Sequence, residues 1–386
     1  MTPGSFTFSF TYHLYTLLDL YYYYIFTGDT EYLRKYWDQY KLALDWSLGT
    51  IDSTLLANVT STNDWLRSGM GGHNVEVQLQ SIVIRRNRLT SFKANAILYH
   101  TLDMSLTLAK AVKDESVSAK YSSAMAGIKQ AVNQRLWDPD QNLFFDNDTI
   151  QDTDSVHPQD GNSWAVIAGI VDPSRSMAIS ESLKARWIRP YGAPAPEAGL
   201  TISPFATGFE IQAHFIAGHP QYAIELMEFM YADFMLDDPR MTNSSFIEGY
   251  STNGDLHYAP YDNDARISYA HGWATGSTSA LTFYAAGLRL NSGAGQNWTI
   301  QPRLGDLSNI DAGFETPLGG FSAKWNVSHD GLLSGQIHIP ETTSGTLILP
   351  KLSTVTGPQG ELHGLTQSDG TVVFENVPGN SYDISA

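Results

Sequence analysis

Five short stretches bring together residue types that could do chemistry. In TNSSFIEGYSTNGD (242–255), Glu248 stands between the apolar pair Phe246-Ile247 and Gly249-Tyr250. A loop carboxylate can take a proton from water, although by position alone a solvated surface acid is the simpler reading. In YAHGWATGSTSALTFYAAGL (269–288), His271 can hydrogen-bond a hydroxyl and Trp273 offers a ring face. A packed His-Trp pair at a helix entrance is the structural alternative. Gly272 and Gly276 allow close backbone approach there, and Thr275, Ser277 or Thr278 can cap the helix.

TNDWLRSGMGGHN (62–74) sets Asp64, Trp65, Arg67, His73 and Asn74 in a glycine-rich loop. Acid, ring and amide together suit a polyol, with Asp64 as a plain helix cap the competing role. HPQDGNSWAV (157–166) offers Asp160, Asn162 and Trp164 before a helix, with Asp160 or Asn162 as its expected cap. ISPFATGFEIQAHFIAG (202–218) carries Glu210 and His214 at i, i+4. No other His or acid at suitable spacing completes a metal site with them, so a polar helix face is expected and neither metal nor cofactor is called for. Nucleophile elbow, phosphate loop and dinucleotide fingerprint are all missing from the sequence.

The elements that must hold these residues are mainly helical up to about residue 290. Apolar stripes at helical spacing run through Phe10, Leu14, Leu17, Leu18, Tyr21 and Ile25, then Leu33, Tyr36, Trp37, Tyr40 and Leu44. Further stripes pass through Leu98, Leu102 and Leu106, then Tyr121, Ile128 and Val132, Ile179 and Leu183, and Leu226, Met230 and Phe234. The helices come in pairs separated by long polar loops. Such pairing predicts a toroid of α-hairpins whose loops build a pocket at one end. From residue 291 the period changes to two, as in Phe321, Ala323, Trp325 and Val327, and residues 291–386 read as a small antiparallel β-sandwich. A structural cap is its expected role.

A formal charge of −17 leaves no basic stripe for nucleic acid, and the helical run 9–27 is crossed by Thr, His and Asp, a poor membrane span. Sequons at Asn58, Asn147, Asn243, Asn297 and Asn326 predict a secreted glycoprotein, although residues 1–10 do not read as a signal peptide. One stretch stands apart. Residues 77–93 hold Arg85, Arg86, Arg88 and Lys93 with no acid, and read either as a basic surface loop or as a translated, unspliced intron of 17 codons.

In order along the chain, SFTYHLYTL, NDWLRSGMGGHN, ANAILYHTL, HPQDGNSWAV, ISPFATGFEIQAHF, SSFIEGY and HGWATGSTSALTFYAAGL resemble the fungal branch of glycoside hydrolase family 78. These are the α-L-rhamnosidases of the six-hairpin glycosidase superfamily. The resemblance implies an (α/α)6 barrel over 1–290, followed by a β-sandwich, and hydrolysis with inversion of terminal rhamnose. Glu248 then matches the water-activating base and His271 the sugar-binding histidine, while Phe246-Ile247 replaces the family's usual Trp. Asp64 and Trp65 match the family's D-W-L element. His73, Asn74, Asp160, Trp164, Tyr250 and Trp273 complete the expected substrate contacts.

The family's general acid lies in an R-D…W-x-G-D block that does not occur here, so the first helices and the acid are expected to be missing; Asp64 is the one substitute. Two other readings stay open. One is a polysaccharide lyase or another exo-glycosidase on the same barrel, the lyase using Arg67, His73 or His100. The other is a non-catalytic carbohydrate-binding protein.

Overall fold

The computed structural model describes residues 9–59, 92–148, 155–259, 261 and 263–385. Among them are nine α-helices: α1 (Phe10–Thr27), α2 (Thr30–Leu48), α3 (Phe92–Val112), α4 (Ser118–Arg135), α5 (Gln159–Ile167), α6 (Pro173–Lys184), α7 (Pro204–Ile216), α8 (Pro220–Leu226) and α9 (Gly276–Ala280). Local chemistry sets several of their ends. Ser9 accepts the Tyr12 N–H to start α1, Asp29 accepts that of Tyr32 to start α2, and Asp172 with Pro173 starts α6. Gly28 ends α1 in the left-handed region (φ 67°), where a side chain would also press on Ala294.

The packing order explains the architecture. α1 packs on α3, α3 on α5, α5 on α7 and α7 on α9, whereas α2, α4, α6 and α8 pack outside these neighbours. Odd helices therefore form an inner ring and even helices an outer layer. Burial follows this division: every residue of α5 from Gln159 to Val166 is buried, whereas α2 buries a single stripe. A helix enclosed on all sides has no polar face to spare, which is why Gln159, Asp160, Asn162, Glu210 and His214 must all find partners inside the protein.

The β region begins at Leu288. One sheet runs in the order Leu365–Thr366, Val372–Pro378, Ser344–Leu349, Asn297–Ile300, Leu288–Leu290. The other runs Gly360–Glu361, Thr354–Gly357, Ser381–Ser385, Leu333–His338, Gly319–Val327, Asn309–Thr316. Their shared core holds Trp298, Trp325, Phe321, Ile337 and Leu347, with the expected alternation along Phe321, Ala323 and Trp325. The Trp325 indole donates to the Ala286 carbonyl, tying the sheets to the end of the last helix.

Candidate active site

The starts of α7 and α9 lie beside the loops that carry Glu248 and His271. A two-residue ladder, Thr201–Ile202 against Tyr250–Ser251, fixes the Glu248 loop beside the start of α7. A second set of bonds fixes it to the loop before α9. The Glu248 N–H donates to Ser268 O (2.8 Å), and the His271 N–H to Phe246 O (3.0 Å).

Glu248 is buried, 1% exposed, which overturns the solvated reading of this acid. Its Oε1 accepts the Tyr261 hydroxyl at 2.5 Å, and its Oε2 accepts the Ser268 N–H at 3.1 Å with His271 Nδ1 at 3.7 Å. These donors satisfy a polar group that would otherwise be buried without partners. Burial and the bond to Glu248 push the Tyr261 hydroxyl up to about 12, so it is a proton donor at any working pH.

Around the carboxylate the aromatic rings form a run. The Trp273 indole donates to the Glu248 carbonyl (3.4 Å), and its ring lies 4.3 Å from that of His271 and 5.1 Å from Phe205. A cleft of about 610 Å³ runs over Trp273, Phe205, Phe209, Phe283 and Phe314, with the hydroxyls of Thr275, Thr278, Ser279 and Thr282 between the rings. Rings for stacking and hydroxyls for hydrogen bonds are what a sugar surface requires. A smaller, polar hollow on the β-sandwich, at Lys324, Gln336 and Asp383, lacks the rings.

Asp160 stands on the far side of Phe205. Its carboxylate pairs with Lys93 at 2.9 Å, both groups fully enclosed, and the Lys93 ammonium lies 5.6 Å over the Phe205 ring. Asp160 is not the cap of α5. That role falls to Glu197, whose two oxygens accept the N–H groups of Gln159 (2.9 Å) and Asp160 (3.0 Å). Asn162 spans Phe144 and Pro158 instead. Nor do Glu210 and His214 form a polar face: both are buried, with Gln159, Trp187 and Ser180 as partners. Among the described residues no group of three or more His, Cys, Asp or Glu could hold a metal ion.

The other expected site residues divide. Trp164 packs its ring on Phe209, His100 and Tyr15, linking it to the aromatic run from the inner side. Tyr250 points away from Glu248, with its hydroxyl on Tyr191 O and its ring on Phe234. Asp64, Trp65, Arg67, His73 and Asn74 lie outside the described residues; of the stretch 77–93 only Phe92 and Lys93 are described, in the first turn of α3. Tyr261, Phe205, Lys93 and Glu197 escaped the sequence reading as site residues. The spacing of Tyr258 and Tyr261 after Glu248 was the one available hint.

A ring of α-hairpins with a buried carboxylate, an imidazole and stacked rings at its loop end, followed by a β-sandwich, has the build of a six-hairpin carbohydrate-active enzyme. Comparison with known proteins narrows the class. The model of the bacterial α-L-rhamnosidase six-hairpin glycosidase domain matches residues 15–205, and that of the bacterial α-L-rhamnosidase C-terminal domain matches 287–363. The chain belongs to this family of α-L-rhamnosidase-like glycoside hydrolases.

Solved structures agree in fold. The family 78 rhamnosidase of Bacillus sp. GL1 is 18% identical, with a TM-score of 0.65 over 88% of this chain and 33% of its own. The Streptomyces avermitilis α-L-rhamnosidase complexed with L-rhamnose is 16% identical, with a TM-score of 0.62 over 94% and 32%. The solabiose phosphorylase of Paenibacillus borealis is 27% identical over 199 residues, 46% of this chain and 23% of that protein. The chain thus spans about a third of the length of these rhamnosidases. No helix among the described residues is long and apolar enough to cross a membrane.

Proposed function

We propose that this chain carries the water-activating half of an inverting α-L-rhamnosidase acting on terminal rhamnose of plant polysaccharides or glycosides. The observation that carries the reading is Glu248, buried between a hydroxyl and a backbone N–H donor, with His271 and Trp273 at its side. Glu248 takes a proton from water as the water oxygen attacks the anomeric carbon. The bond to the leaving oxygen breaks, and a general acid on the opposite face protonates that oxygen. His271 holds a sugar hydroxyl and Trp273 stacks on the ring. Asp64, Trp65, His73, Asn74, Asp160, Trp164 and Tyr250 are the remaining proposed contacts, Tyr250 by supporting the loop. The general acid that partners Glu248 is not assigned to a residue of this chain, which spans about a third of the solved relatives.

Phosphorolysis, the reaction named for the Paenibacillus relative, is disfavoured by the same carboxylate, whose charge would oppose an attacking phosphate. Secretion and glycosylation belong to the proposal too. Asn58, Asn243, Asn297 and Asn326 are exposed and open to a glycan, whereas Asn147 is 7% exposed. If residues 77–93 are a retained intron, Glu76 directly precedes Ala94 in the spliced protein and the Lys93–Asp160 pair is lost; peptides spanning 76–94 test this.

The test of function follows an aryl α-L-rhamnoside by proton NMR. A full-length version of the protein is expected to release β-L-rhamnose first. First release of the α-anomer would rule out inversion, and binding without turnover would favour a non-catalytic carbohydrate-binding role.

A further inference from the structure

We propose that Tyr261 is the positioning residue for Glu248, set in place by a line of packing that begins at Gly249. The inference rests on the reading of Glu248 as the base and adds what makes that base competent. Glu248 has two oxygens, and only one can face the water it activates. The Tyr261 hydroxyl holds Oε1 at 2.5 Å, while the Ser268 N–H holds Oε2 at 3.1 Å from another loop. A hydroxyl donating to a carboxylate at that distance is a strong, charge-assisted bond, and with the backbone donor it fixes the plane of the group.

Tyr261 owes its own position to its neighbours. Its N–H donates to Tyr258 O (2.8 Å), and the two rings meet edge to face at 5.6 Å. Tyr258 is fully buried against Gly249, where an added Cβ would fall 2.3 Å from its ring. The glycine after the catalytic glutamate therefore admits Tyr258, Tyr258 backs Tyr261, and Tyr261 orients Glu248. On its other side, the Arg266 guanidinium lies 5.2 Å over the Tyr261 ring. Among the described residues, the titratable and charged groups facing this unit include Tyr261 and His271 on Glu248, and Arg266 and Tyr12 on Tyr261. The cleft is lined by Trp273 and not by Tyr258 or Tyr261, so the role of this line is orientation and not sugar contact.

The test uses α-L-rhamnosyl fluoride, whose leaving group departs without a general acid, so the 386-residue chain can turn it over on its base alone. Tyr261→Phe keeps the ring and loses the hydroxyl. Its kcat is expected to fall by about 100-fold, the usual cost of a misplaced catalytic group, with KM unchanged. Gly249→Ala, which displaces Tyr258 but keeps the Tyr261 hydroxyl, is expected to lower kcat with the same unchanged KM.

Wild-type kcat in Tyr261→Phe would overturn the proposal, as would a rise in KM alone, which would make Tyr261 a substrate contact. Glu248→Gln is run beside them. If it retains turnover, or if the wild-type chain has none, the base reading itself is lost; if it is inactive while Tyr261→Phe is normal, only the positioning role is lost.

Discussion

Glu210 and Glu248 are each 1% exposed, and each accepts a hydrogen bond from an aromatic side chain, Trp187 in one case and Tyr261 in the other. Their surroundings differ. Glu210 lies on a helix of the inner ring, and its partners Gln159, Trp187 and His214 hang from packed helices or their ends. It joins α5, α6 and α7 from the inside. Glu248 lies on a loop and is held by two other loop segments, beside an imidazole and bonded through its carbonyl to Trp273, whose ring lines the aromatic cleft. Burial and hydrogen bonding alone therefore do not mark a reactive carboxylate; what distinguishes Glu248 is a loop position joined to a ring that lines a cleft.

Variants can break this contrast. The largest effect is expected for Glu248→Gln, which keeps the shape and removes the base: kcat on α-L-rhamnosyl fluoride should fall by about 1,000-fold, within the range for general-base catalysis, with the melting temperature nearly unchanged. Glu210→Ala should do the reverse. It strands the Trp187 and Gln159 donors in the interior, a loss of about 3 kcal/mol read by denaturant unfolding, while turnover per folded molecule stays near that of the wild type. If Glu210→Ala were stable and inactive, the division of roles would be wrong.

The histidines sharpen the same comparison. His271 flanks Glu248, whereas His100 on α3 packs against Trp164, and burial pulls its imidazole down to about 4. The unfolded chain binds this proton near pH 6.5 and the folded chain does not, so the unfolded state is favoured as pH falls from about 6.5 to about 4. The loss should reach about 2 kcal/mol, because the ring is still partly reached by solvent, and then level off. His100→Gln should flatten that part of a stability–pH curve. The smallest effect is expected for Glu197→Gln, which keeps an acceptor at the start of α5 but removes the charge: about 1 kcal/mol in unfolding, with no change in kcat.

Much of the fold was legible because periodicity reports which face of an element is buried. The stripes through Phe10–Ile25 and Leu33–Leu44 became the buried faces of α1 and α2, and the alternation at Phe321–Trp325 became a sandwich strand. Periodicity does not report which neighbour a polar group meets inside. Lys93 meets Asp160, and Glu197 caps α5, across separations of dozens of residues that leave no local pattern. Asp160 and Asn162 looked like caps because their residue types favour that role, yet α5 begins at Gln159 and both fall inside it. Glu248 stood out only through the order of the blocks around it, and Tyr261 not at all, since its contact depends on the turn that follows.

The most direct test of the account compares the wild-type chain with Glu248→Gln on α-L-rhamnosyl fluoride, measuring fluoride release across pH. The account predicts release by the wild type and about 1,000-fold less by the variant, with an unaltered fold. Equal rates in the two proteins would contradict it.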